Sequence, residues 1–209
     1  MTQNSGLARA FDDLADSYDH GHHEAVARAL IALVEPGADD VVADVACGAG
    51  AVALQLAQHR QAAARPVLAV DLSPGMVAAG KIRAASLGVE GAVDWRVTDA
   101  VPLPVGDHCV DVVFCASSLH FLGRPALADW HRALRPGGRV GFTLPLATHF
   151  RASKDFAQHL AHDVPLPESA EEARIWAASY GWTNVASRVH AFGTRRVVLV
   201  CASSPDTRS

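Results

Sequence analysis

The sequence predicts an α/β fold, a doubly wound and mainly parallel sheet with helices on both faces. Short β-branched runs alternate with helical patterns along most of the chain, and parallel strands need such crossovers to be joined. A glycine turn links the first of these runs directly to a helix. Hydrophobic residues make up 50% of the 209 positions, which is enough apolar surface to bury a sheet between two helical layers. That length suits one domain over 1–209.

The elements follow in order. Leu7, Phe11, Leu14 and Tyr18, then Val26, Leu30, Leu33 and Val34, recur at helical spacing, so two helices within 1–35 precede the sheet as an N-terminal lid. After the turn Glu35, Pro36, Gly37 comes a strand at 41–46, closed by a glycine loop and followed by a helix at 51–59. The alternation continues with a strand at 67–70, a helix at 74–87, strands at 93–97 and 110–115, a helix at 125–134 and a strand at 139–144. Ser73 can cap a helix that has Pro74 at its first position, and Arg135, Pro136, Gly137 and Gly138 read as the end of another. The stretch 145–168, with Pro165, Pro167 and three histidines, is too polar for a sheet layer and reads as a short cover. A helix at 168–180 and a hairpin of strands 185–192 and 195–201 about Gly193 and Thr194 complete the chain.

Composition excludes several functions. The formal charge is −4 with both signs interspersed, so there is no cationic footprint for nucleic acid. Cys47, Cys109, Cys115 and Cys201 show no CxxC spacing, and three lie in apolar runs, as expected of a reduced, cytoplasmic protein. Met1 is followed by polar residues, and no apolar run approaches the roughly 18 residues of a membrane span, so neither export nor membrane insertion is expected.

The central constellation is Asp44, Val45, Ala46, Cys47, Gly48, Ala49, Gly50, at the end of a strand and the start of a helix. Gly48 and Gly50 allow a sharp turn and a close backbone approach to a ligand. The second strand ends at Asp71, whose carboxylate can accept both hydroxyls of a ribose laid over the loop. A glycine loop with a later acid also fits a dinucleotide site, so a nicotinamide-dependent oxidoreductase stays open at this point. Three features favour S-adenosylmethionine. Asp44 stands where a dehydrogenase usually has an apolar residue and could anchor an ammonium. Thr98, Asp99 and Ala100 offer a carboxylate and a backbone amide to an adenine edge. Leu134 to Gly138 then precedes the fifth strand.

In order and spacing, 44–50, 70–76, 98–100, 111–122 and 134–141 resemble the class I S-adenosylmethionine-dependent methyltransferases, and most closely the ubiquinone/menaquinone-biosynthesis type. The similarity is strong over 18–142 and weak beyond. It implies a Rossmann-like seven-stranded sheet of order 3-2-1-4-5-7-6 with one antiparallel strand from the last hairpin. It also implies S-adenosylmethionine as cofactor and S-adenosylhomocysteine as product. By the same resemblance Ala46, Gly48 and Gly50 underlie the methionine moiety, Asp71 holds the ribose, Leu72 and Met76 flank adenine, and Asp99 and Ala100 meet its edge. Tyr18 matches a tyrosine near the cofactor carboxylate, and Ser117 lies at the mouth where the sulfonium sits.

Methyl transfer is an in-line displacement, so the protein mainly positions and desolvates a nucleophile. The segment Phe114 to Phe121 lacks the Asn/Asp-Pro-Pro-aromatic pattern of base-amine methylases. A small-molecule acceptor with an oxygen, carbon or aliphatic nitrogen nucleophile is left. His120 is the candidate general base, beside the alternative that it only shapes the pocket. His20, His22 and His23 fit no common zinc spacing and read as a solvated part of the lid, so no metal site is expected. Alternatives are a methyltransferase-fold protein that binds the cofactor for a non-methylating role and, further off, an NAD(P)-dependent oxidoreductase. A monomer or homodimer is expected.

Overall fold

A computed structural model describes residues 3–15, 20–59 and 65–206. Helices α1 (Gln3–Leu14) and α2 (His20–Val34) come first. They are followed by β1 (Val42–Val45), α3 (Ala51–His59), β2 (Val67–Asp71), α4 (Pro74–Leu87), β3 (Val93–Val97) and β4 (Val110–Cys115). Then come α5 (Leu119–Leu122), α6 (Arg124–Ala133), β5 (Leu134–Pro145), α7 (Lys154–Ala157), α8 (Ala170–Ala178), β6 (Thr183–Phe192) and β7 (Arg195–Ser203). The seven strands form one sheet in the order β3-β2-β1-β4-β5-β7-β6. Strands β1 to β5 pair in parallel, and β7 runs antiparallel to both β5 and β6. The expected sheet order and its single reversed strand are both present.

Period-two alternation sends neighbouring residues to opposite faces. Ala43, Val45, Val113 and Cys115 pack on one side with Trp130 and Leu127 of α6 and Ala173 and Ala177 of α8. Val42, Val112 and Phe114 pack on the other with Val26 and Leu30 of α2 and Val52 and Leu56 of α3. Because both faces are covered, the strands can be buried throughout, as β1 and β2 are. Trp130 is wholly buried between α6 and the sheet. A side chain of that kind contributes roughly 1.5 to 3 kcal/mol or more of transfer free energy.

Local chemistry sets the helix ends. Ser73 accepts the Met76 amide at 3.0 Å with Pro74 in the first turn, and Gly88 closes α4 in the left-handed conformation at φ 67°. Two sequence expectations are corrected. Arg135 to Gly138 do not simply end α6. The backbone enters β5 at Leu134, opposite Val110, and a register shift next to Val110 absorbs the glycines. Also, His20, His22 and His23 form the first turns of α2, and His22 is buried rather than solvated, because this end of the helix lies over the sheet edge.

Candidate active site

The turn after β1 is built from backbone. The Cys47 amide donates to the Val70 carbonyl at 3.0 Å, and the Gly50 amide to the Cys47 carbonyl at 2.9 Å, so the loop is bound to the tip of β2. Ala46, Gly48 and Gly50 all have positive φ, at 51°, 53° and 76°. Ala46 holds this conformation despite its Cβ, at a cost of about 1 kcal/mol. For Gly50 the requirement is packing as well as φ: a Cβ there would overlap the Trp95 ring, which also lies against Gly80. Trp95 is therefore wedged between the glycine loop and α4, a role that the spacing of the glycines does not reveal.

Two buried carboxylates stand behind this loop. Asp71 Oδ2 accepts the Gly48 amide and Oδ1 accepts the Ser73 amide, each at 2.8 Å. One side chain thereby fixes the glycine turn and the entry to α4 together. Burial still raises its pKa above the ordinary carboxylate value, against the effect of these amides. Asp44 Oδ2 accepts the Ala53 amide at 3.0 Å beneath the loop, and burial, with some repulsion from Asp71, pushes its pKa up to about 7. Among the described residues no basic side chain forms an ion pair with either group. Asp99 is exposed just past β3, next to Thr98, whose amide donates to the Asp71 carbonyl at 3.0 Å. Ala100 and Met76 are buried.

Ala46, Gly48, Asp71 and Leu72 border one cleft, closed on its far side by Ser118 and Phe121. The Ser118 hydroxyl donates to the Ala46 carbonyl at 3.2 Å, which joins the segment after β4 to the glycine loop. Leu7 and Phe11 of α1 line the same cleft, whose volume is about 30 Å³. Asp12 of the same helix accepts the Ser73 hydroxyl at 2.6 Å and the Gly75 amide at 2.8 Å. Asp12, Ser118 and Phe121 were not singled out by the sequence. Phe11 was visible there only as part of an amphipathic stripe.

Beside this cleft, over the tips of β4, β5 and β7, is a cavity of about 410 Å³. That lies within the roughly 300 to 1000 Å³ of small-molecule sites. Ser117 and His120 line it from the β4 end, Thr143 and Pro145 from β5, and His22 and His23 from α2. The segment after β5 covers it with Phe150 and Phe156, and is docked by the Ala161 amide donating to the His120 carbonyl at 2.8 Å. His120 is buried, and burial lowers its pKa to about 4, so its ring is neutral near pH 7. Its Nδ1 and the Ser117 hydroxyl are both buried without a hydrogen-bond partner among the described residues. Phe121 lines both the cleft and the cavity and is the wall they share. His149 lines this cavity too, whereas His159 and His162 border a separate one of about 350 Å³.

Ala46, Gly48, Asp71 and Leu72 thus come together at one cleft, and Ser117 and His120 at the adjoining cavity. Asp44, Gly50, Met76 and Ala100 are buried and do not border the cleft, exposed Asp99 does not border it either, and Tyr18 lies outside the described residues. Burial raises the Cys47 thiol pKa, which fits a packing residue rather than a nucleophile. Among the described residues no group of three histidines, cysteines or carboxylates could hold a metal ion. Nor is any helix among them long and apolar enough to cross a membrane.

Residues 42–138 match a family model described as a methyltransferase domain. The ubiquinone/menaquinone biosynthesis C-methyltransferase of Dinoroseobacter shibae is 32% identical over 138 residues, 65% of this chain and 54% of that protein. The chain spans about half the length of the curated relatives it matches. Among solved structures, the methyltransferase in complex with the Haloferax volcanii Trm112 activator has a TM-score of 0.72 at 20% identity, covering 93% of this chain and 97% of that one. The 4+2 cyclase SpnF has a TM-score of 0.68 at 18% identity, covering 87% and 80%. At these identities the structural likeness speaks for the fold alone. Fold and matched region together are similar to those of methyltransferase domains, the match covering a little under half of the chain. Over the matched region the chain is similar in particular to ubiquinone/menaquinone biosynthesis C-methyltransferases.

Proposed function

We propose that the chain transfers a methyl group from S-adenosylmethionine to an oxygen, carbon or aliphatic nitrogen of a small molecule, leaving S-adenosylhomocysteine. The observation that carries this reading is the shared wall at Phe121, with a glycine-and-carboxylate cleft on one side and a cavity of ligand size on the other. Two buried carboxylates without an ion-pair partner among the described residues suit a ligand that brings a positive charge and two ribose hydroxyls.

In this reading Asp71 keeps the Gly48 amide in place and accepts the ribose hydroxyls with its remaining lone pairs. Ala46, Gly48 and Gly50 form the floor, Leu72 and Met76 flank the adenine, and Asp99 with the Ala100 amide meets its edge. Asp44 balances the ammonium from below the loop, while Tyr18 and Ser117 bound the methionine end. The bound cofactor supplies an activated methyl, so the chain needs only to align a nucleophile about 3 Å away and exclude water. Neutral His120 accepts a hydrogen bond from the acceptor's O–H, N–H or acidic C–H. A ring titrating at about 4 is a weak proton acceptor near pH 7, which favours orientation over full proton removal.

In this reading α1, whose Leu7 and Phe11 line the cleft, moves aside to admit the cofactor. Calorimetric titration with S-adenosylhomocysteine alongside NADH, followed by transfer of labelled methyl into a metabolite extract, tests the reading. Binding of the first ligand only, with label transfer, supports it. Binding of NADH alone would overturn it, and binding without transfer would point to a non-methylating role.

A further inference from the structure

The cavity beside the cofactor cleft has an unbalanced charge. Arg151, Arg195 and Arg196 line one part of its wall, and among the described residues no aspartate or glutamate lines it. This is so although the chain as a whole has 22 acidic against 18 basic residues. The rest of the wall combines aromatic rings, Phe121, Phe150 and Phe156, with polar groups near the β4 end.

Arg196 is the sharpest feature. It stands at the start of β7, opposite Ala191 of β6, and its Nη1 is buried without a hydrogen-bond partner. A guanidinium carries five donors and no acceptor, and a donor left unmet away from water is unfavourable. Ser117 Oγ and His120 Nδ1, at the same cavity, are unmet in the same way. Arg151 turns one nitrogen to its neighbouring Phe150 carbonyl at 2.7 Å, which stiffens the cover next to the cavity. Such a surround penalises a cationic ligand, leaves a neutral one without a charge partner, and rewards an oxyanion with charge-assisted hydrogen bonds.

We propose that this cavity selects an anionic acceptor, a small molecule with a carboxylate or phosphate beside an apolar or aromatic body, with Arg196 as its principal counter-charge. The proposal rests on the methyl-transfer reading for the word acceptor, but the anion preference itself does not depend on it. The body of the ligand packs on Phe121, Phe150 and Phe156, the anion lies toward β7, and the nucleophile faces His120 and Ser117.

The test uses the full chain saturated with S-adenosylhomocysteine, so that the methionine end of the cofactor cleft is filled and cannot itself bind the probe. Benzoate, phenyl phosphate and neutral benzamide are titrated by ligand-observed NMR against wild type, Arg196→Gln and Arg196→Lys. At least one anion should bind about tenfold tighter than benzamide, a difference typical of one charge-assisted contact. Which anion leads distinguishes a carboxylate from a phosphate acceptor. The preference should fall toward parity in Arg196→Gln, survive in part in Arg196→Lys, and weaken as salt rises. Equal binding of benzamide, binding of none of the three, or an unchanged preference in Arg196→Gln would each overturn the proposal. Retained S-adenosylhomocysteine affinity shows that the variants are folded. If the wild type fails to bind S-adenosylhomocysteine, the methyl-transfer reading falls, while the anion preference is still read directly on the unloaded protein.

Discussion

The Asp12 carboxylate accepts the Ser73 hydroxyl at 2.6 Å, joining α1 to the N-terminus of α4 beside the glycine-loop cleft. Asp12 also takes the Gly75 amide at 2.8 Å, so it acts as a second cap on a helix that Ser73 already caps. The same contact holds Leu7 and Phe11 in the cleft. Asp12→Ala is expected to lower thermal stability by about 1 kcal/mol, the usual effect of losing a cap. It should raise S-adenosylhomocysteine affinity several-fold, because the closed position of α1 loses its anchor. Calorimetry with parallel thermal melts checks both, and equal or weaker affinity would mean that α1 does not compete with the cofactor.

Asp71 is bound by two backbone amides before any ligand arrives. Asp71→Ala should therefore weaken S-adenosylhomocysteine binding by roughly 1 to 3 kcal/mol and also loosen the glycine turn. Asp71→Asn retains one acceptor oxygen and should fall between wild type and Ala. Unchanged affinity in Asp71→Ala would remove this residue from the site.

Asp44 and His120 give opposite pH dependences of stability. Asp44 is raised from 3.8 to about 7, so between these values the native state holds a proton that the unfolded chain has released, and stability falls as pH rises. His120 is lowered from 6.5 to about 4, so in that window the unfolded chain holds the extra proton, and stability rises with pH. The two slopes partly cancel in the wild type between about pH 4 and 6.5, with raised Asp71 adding to the falling side. Asp44→Asn should expose a rising profile and His120→Gln a falling one, measured as melting temperature from pH 4.5 to 7. Parallel profiles in all three proteins would refute these assignments.

Trp95 lies against both Gly50 and Gly80, where a Cβ would overlap its ring. Gly80→Ala should cost about 1 to 3 kcal/mol by overpacking, even though alanine favours a helix. Adding Trp95→Phe, which removes the outer part of the indole, should restore much of that loss. A double-mutant cycle from denaturant melts measures the coupling, and additive effects would show that the ring moves aside freely.

Part of the cleft was legible because its parts are close together in the chain or stand at strand ends. Gly48 and Asp71 lie at the two turns where a strand hands over to a helix, and their residue types are unusual enough there to be noticed. Gly50 was recognised but given an incomplete reason, since the ring that demands it lies 45 positions away on β3. Asp12 was hidden for the same cause: its partner Ser73 is 61 residues distant, and an acid on an amphipathic helix looks like any solvated side chain. His22 was misjudged as solvated because a polar residue type at a helix start carries no mark of the sheet edge it rests on.

Alternation of β-branched runs with helical periods, punctuated by caps and glycines, determines the parallel sheet, since those signals are local and each follows from backbone sterics or from burial of one face. Folding decides what the local signals cannot: that Leu7 and Phe11 of α1 meet the glycine loop, that Phe121 stands between two cavities, and that Arg196 lines one with no acid among the described residues of its wall. These are meetings of residues far apart in the chain. Their energies depend on burial and partner geometry, which exist only once the layers have packed.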